Sequence, residues 1–183
     1  AMERTCTFRP DRQHVRHEKT TARKRFRQGT PRANVSVVER KDHEALGPEN
    51  RLIVGTGPGN GTIIPGGTRF TITAKSPLTG ILGDSNSGAD FGAKLKYAGY
   101  DGIIVEGRSR EPVYLMIDDG EAELRPARRL WGKNATDAQW ALKREVGDPD
   151  AGIITIGVAG EKRVAFASVI GGGSRASGRT GMG

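Results

Sequence analysis

The run GGTRFTITAKSPLTGILGDSNSGADFGAKLKYAGYDGIIVEG, Gly66 to Gly107, decides how this chain is read. It sets glycine-bracketed polar loops, one led by Arg69 and another holding Asn86, between short apolar strands. Phe70–Ala74 (FTITA) alternates and is rich in β-branched residues, which predicts a half-buried strand. Gly102–Glu106 (GIIVE) predicts a fully buried one, and Phe91 and Leu95, four apart, predict a short helix over Asp90–Ala98. A segment built this way offers backbone N–H groups and a few fixed donors to a ligand. The same device returns in GGGSRASGRTGMG, Gly171 to Gly183. Two such loops point to a large anionic ligand between them.

Outward from that run the pattern remains strand and turn. Arg51–Gly55 (RLIVG) is an apolar strand ended by the turn cluster TGPGNGT. Pro112–Ile117, the turn Asp118–Asp119–Gly120 and Glu121–Arg125 predict a hairpin. Thr136–Val146 predicts a helix, with Thr136 as N-cap, Gln139 three residues on and Gly147 at its C-terminal end. Ile153–Ile156 and Val164–Val169 predict two more strands. Strands outnumber helices and do not alternate with them as a doubly wound sheet requires, so the fold class is α+β, β-rich with mixed sheets and one or two short helices.

Composition divides the 183 residues in two. Residues 1–44 hold 12 Lys/Arg against 6 Asp/Glu, so 6 of the net +8 lies there and residues 45–183 carry only +2. His14, His17, His43 and the lone Cys6 also lie there. Little apolar periodicity runs through this stretch, which predicts a basic, solvated segment, disordered or non-native. A nucleic-acid arm is the competing reading, since Lys/Arg neutralise phosphates, but Phe8 and Phe26 are its only aromatics and no recognition fold accompanies them. One cysteine forms no intrachain disulfide and excludes a self-contained zinc ribbon or iron–sulfur site, in keeping with a reducing cytoplasmic setting. No apolar run reaches the roughly 18–20 residues of a membrane span.

Residues 45–183 hold 26 of the 27 glycines. Glycine at that density lets backbone approach a ligand and lets consecutive N–H groups form anion-binding concavities, to which arginine adds a planar fork. Arg175 and Arg179 are four apart; if Ser174–Arg179 opens a helix, both guanidiniums and its first N–H groups converge on one phosphate. Familiar alternatives fail. GTGPGNG follows a strand but runs into Pro65 and more glycine, not a helix, so it is no dinucleotide fingerprint. No GxxxxGK[ST] occurs, and no histidine lies in residues 45–183, which removes a Ser–His or Cys–His nucleophile there. Asp84, Asp90, Asp101 and Glu106 read as turn and cap carboxylates before acids or bases.

Six segments in order carry a resemblance: ALGPENRLIVGTGPGNGT (45–62), TRFTITAKSPLTG (68–80), DSNSGADFGAKLKYAGYDGIIVEG (84–107), LWGK (130–133), IGVAGE (156–161) and SRASGRTGMG (174–183). Together they resemble the N-terminal, cofactor-seat domain of the tungsten-containing aldehyde ferredoxin oxidoreductase family, over residues 45–183. The resemblance implies a sheet on which tungsten, or molybdenum, chelated by two pterin dithiolenes rests. It implies that Arg69 lies between pterin and a [4Fe-4S] cluster. Asn86 and Gly88 match pterin-contacting positions, and Arg175, Ala176, Gly178 and Arg179 match a loop holding the pterin phosphate beside magnesium. The implied reaction oxidises an aldehyde to a carboxylic acid and passes electrons through [4Fe-4S] to ferredoxin. The cluster ligands and the catalytic acid and base are expected in later domains, so no catalytic side chain or metal ligand is assigned here. The 183-residue piece is expected to be C-terminally truncated and inactive alone. A stand-alone pterin-binding module without catalysis is the alternative. The family's first strands have no evident counterpart in residues 1–44, and sheet edges left open there would invite association, a homodimer included.

Overall fold

The computed structural model describes residues 43–183 in full and, of the preceding residues, the backbone of two strands, β1 (Thr5–Arg9) and β2 (His14–Glu18). The further elements are β3 (Leu52–Thr56), β4 (Phe70–Lys75), β5 (Leu82–Ser87), α1 (Phe91–Tyr97), β6 (Gly102–Val105), β7 (Val113–Asp118) and β8 (Glu121–Pro126). They continue with α2 (Ala135–Val146), β9 (Ile154–Thr155), α3 (Gly157–Glu161), β10 (Ile170–Gly171) and β11 (Arg175–Ala176). A six-stranded sheet runs in the order β2-β1-β6-β3-β4-β5, beside a three-stranded sheet β11-β10-β9 and the hairpin β7-β8. The fold is α+β, as the strand-rich pattern requires.

Strand β4 shows how the central sheet closes. Phe70, Ile72 and Ala74 are buried and join Val54, Leu95, Tyr100, Ile103, Val169 and Met182 in one core. Thr73 on its other face is also fully buried, so β4 is a central strand covered on both faces, not the half-buried one expected. Its partner β5 reads LGDSNS, polar enough to have been taken as a loop, yet it pairs along its whole length from Lys75↔Leu82 to Phe70↔Ser87. Small residues make this workable: Gly83, Ser85 and Ser87 are buried, while Asn86 faces solvent.

Two strands fall where none was expected. β1 pairs antiparallel with β2 and lies parallel to β6, with Cys6 opposite Ile103 and Phe8 opposite Val105. That side of β6 is therefore occupied. A parallel pairing between residues this far apart has no local signature, which is why periodicity missed it. The rest of residues 1–42 lies outside the described residues.

Two further corrections concern chain ends of elements. Helix α2 is capped by Asn134, not Thr136: Asn134 is extended (φ −64, ψ 162) and Asp137 N–H donates to its side chain at 2.8 Å. The Asn134 amide donates in turn to the Asp137 carboxylate at 2.8 Å, closing a reciprocal box. Asn134→Ala is expected to cost about 1 kcal/mol, read from urea denaturation. At the other end Gly147 takes the left-handed conformation (φ 77), as expected. Val164–Val169 is not a strand. Ala167 and Val169 alternate inward, but their carbonyls accept N–H groups from Gly183 (2.9 Å) and Ser177 (2.8 Å) of the chain's tail, so no ladder forms until β10. The β7–β8 hairpin forms with Asp119 and Gly120 both at positive φ (41° and 89°), the geometry of a two-residue primed turn.

Candidate functional site

The glycine-rich stretches meet at the free edge of β5. The tail that follows β11 lies along that edge, where Gly178 N–H donates to Asn86 O at 3.1 Å. A Cβ at Gly178 would stand 3.6 Å from Asn86 N and 3.7 Å from Ser85 Cα, so the backbones run side by side. A Cβ at Gly88 would stand 3.9 Å from Arg175 Nη1, which places that guanidinium over the glycine. Gly172, at φ 52, leaves only 2.5 Å between its would-be Cβ and Ala89 Cβ. The structure thus brings Asn86, Gly88, Arg175 and Gly178 into one patch. Ala176 belongs to the same hairpin and Arg179 follows Gly178 directly; both are exposed.

Arg69 enters from the other side of the strand pair. It precedes Phe70, which pairs with Ser87, so Arg69 and Gly88 leave the β4–β5 ladder at the same end. No hydrogen bond or ion pair joins Arg69 to the tail among the described residues. It is exposed, as are Arg175 and Arg179, and none of the three forms an ion pair with a described carboxylate. By contrast Arg51, Lys96, Arg125 and Arg128 are paired with Glu106, Asp101, Glu123 and Glu111.

The geometry of the arginine loop differs from expectation. Arg175 and Ala176 form β11, paired with Gly171 and Ile170 of β10, and the turn between is made by Gly172 and Gly173 at φ 52 and 83. There is no helix opening at Ser174, so donors come from a hairpin and its extended tail. Two successive glycines at positive φ explain this outcome, since such a turn suits a hairpin and breaks a helix.

On the exposed face of β5, Asn86 Nδ2 donates to Asp84 Oδ1 at 3.2 Å and Thr71 Oγ1 donates to Asn86 Oδ1 at 3.2 Å. Burial raises the Asp84 carboxyl above the ordinary aspartate value, which favours its neutral form. Among the described residues no three of His, Cys, Asp or Glu gather closely enough to hold a metal ion. The chemistry on offer is guanidinium and amide donation to an anionic, polar-edged ligand.

Sequence reasoning missed the side chains that hold this patch in place. Ser85, fully buried, donates to Gly178 O at 2.8 Å, and Ser76, equally buried, donates to Thr180 O at 2.5 Å. Gln139, 3% exposed on α2, accepts from Gly173 N at 2.9 Å. The available signal was a polar residue at a core position of α2, between Ala138 and Leu142.

A sheet edge lined by glycine turns, with arginines that have no carboxylate partner among the described residues, has the donors that a phosphate-bearing ligand requires. The chain belongs to the family described as aldehyde ferredoxin oxidoreductase, N-terminal domain, whose match runs over residues 12–183. It is 50% identical over 140 residues to the tungsten-containing aldehyde ferredoxin oxidoreductase of Pyrococcus abyssi, covering 76% of this chain and 23% of that protein. It is 37% identical over 140 residues to the WOR-like subunit of aliphatic sulfonate oxidoreductase from Pyrococcus furiosus, covering 69% of this chain and 22% of that one. Among solved structures, the active-site complex BamBC of benzoyl coenzyme A reductase, with 1,5-dienoyl-CoA, superposes with TM-score 0.86 at 31% identity, over 98% of this chain and 28% of that chain. The chain therefore spans about a quarter of the length of these relatives, all named as oxidoreductases or reductases.

Proposed function

We propose that this domain is the seat of a tungsten bis-pterin cofactor in an enzyme that oxidises aldehydes to carboxylic acids and passes the electrons through a [4Fe-4S] cluster to ferredoxin, in the cytoplasm. The observation that carries the reading is the meeting of the Asn86–Gly88 strand end with the Arg175–Arg179 hairpin and tail. The residues present suit such a group. Gly88 and Gly178 keep side chains out of the approach, and three arginines stand without a carboxylate partner among the described residues.

Arg175 and Arg179, with the backbone of Ala176 and Gly178, would hold the pterin phosphate and its neighbouring magnesium. Asn86 and Gly88 would meet a polar pterin edge, and Arg69, which leaves the ladder at the same end as Gly88, would lie on the side of the cluster. When bound, the tungsten centre supplies the two-electron oxidation; the domain's part is to bind, orient and tune it electrostatically. Cluster ligands and substrate-facing acid and base groups would come from the remaining three-quarters that relatives carry, so residues 1–183 alone should be inert. Molybdenum would be seated by the same contacts.

The test is to purify the 183-residue chain from a host that makes the pterin and is supplied with tungstate. Retained pterin, measured as its fluorescent oxidation product, is expected, together with no aldehyde-dependent viologen reduction. A chain that never carries pterin overturns the seat. Turnover by the chain alone overturns the division of labour.

A further inference from the structure

The hairpin and tail that carry Arg175 and Arg179 are braced from two sides by polar groups, of which Gln139, Ser85 and Ser76 are buried. From α2, Gln139 accepts from Gly173 N at 2.9 Å and donates to Ala135 O at 3.2 Å, while Thr136 Oγ1 donates to Gly173 O at 3.0 Å. From the large sheet, the Ser85 hydroxyl donates its only proton to Gly178 O, so the close Ser85–Thr180 contact must be donated by Thr180 Oγ1. The Ser76 hydroxyl donates to Thr180 O and accepts from Leu78 N and Thr79 N, each at 3.2 Å. Every proton in the serine–threonine set has one acceptor.

Hydroxyls at positions 76 and 85 are costly to bury unless they are used. Here the carbonyls that they use all belong to the tail, 93 and 104 residues away in sequence. The inlay continues beyond Thr180: Gly181 sits at φ 77 where a Cβ would overlap Ala165 O, and Met182 packs over Gly83. We propose that Ser76, Ser85 and Gln139 are positioning residues of the anion seat, acting through Thr180, Gly178 and Gly173 to hold Arg175 and Arg179 beside Asn86. The proposal rests on the seat reading and deepens it. Arginines on a fixed backbone bind an anion without first having to order it, so the braces act on affinity as well as on the fold.

The experiment uses the ¹⁵N-labelled 183-residue chain, titrated with inorganic pyrophosphate and followed by amide exchange. Wild type should show shifts at Ser177, Gly178 and Arg179. Ser85→Ala, Thr180→Val and Gln139→Met should each weaken pyrophosphate about tenfold and speed exchange at Gly178 or Gly173, with exchange at Val54 and Ile72 unchanged. Thr180→Ser, which keeps the hydroxyl, should restore both readouts. If Ser85→Ala does not fold, the nearly isosteric Thr180→Val carries the test. Variants that bind pyrophosphate as wild type does would overturn the positioning role while leaving the seat intact. Wild type that shows no pyrophosphate shift would instead overturn the seat itself.

Discussion

The double variant Arg175→Glu, Arg179→Glu is expected to lose at least about a hundredfold in pyrophosphate affinity and to purify without pterin. Hydrogen bonds to charged groups contribute about 1.5–3 kcal/mol each, and two are removed at once. Charge reversal then sets two carboxylates against the anion, at a site where the described carboxylates leave these guanidiniums unpaired. Stability should hardly change, because both side chains are exposed and pair with no described residue. That separation makes the result diagnostic: lost binding with unchanged urea denaturation assigns the arginines to the ligand. Equal binding by variant and wild type would remove them from the site. Adding Arg69→Glu should lower pterin retention further, since Arg69 leaves the β4–β5 ladder at the same end as Gly88.

How far this was legible in the sequence depended on the range of the interactions. Alternation in Phe70–Ala74, the Asp119–Gly120 turn and the amphipathic helix before Gly147 are local signals, and each element formed within a residue or two of its expected bounds. The β1–β6 pairing and the tail's use of the Ala167 and Val169 carbonyls are long-range, so no local pattern announced them. β5 was hidden for another reason. An edge strand whose inward residues are glycine and serine lacks the apolar alternation that marks a strand, yet those small residues are what admit the tail. The site followed the same rule. Its exposed donors were visible as residue types at glycine-rich turns, whereas Ser76, Ser85 and Gln139 became visible only once partners distant in sequence were beside them.

Phe70→Ala is expected to remove about 3–5 kcal/mol of stability, enough to unfold much of the population of a domain with ordinary marginal stability. The side chain is 1% exposed and lies in the middle of the core with Ile72, Leu95 and Tyr100. Its ring meets Phe91 of α1 at 5.1 Å between centroids, tilted by 54°, an arrangement that contributes about 0.5–1.5 kcal/mol beyond simple burial. Truncation leaves a cavity where sheet and helix join, and the sheet cannot close on it because Thr73 and Ile72 are fully buried on either face. The position also couples fold to site: Phe70 follows Arg69 and pairs with Ser87, which leads into Gly88. Phe70→Leu should recover most of the stability, and with it pyrophosphate binding, because neither residue touches the ligand surface. A Phe70→Ala protein with an unchanged urea midpoint would mean that the β4–α1 junction does not hold this core.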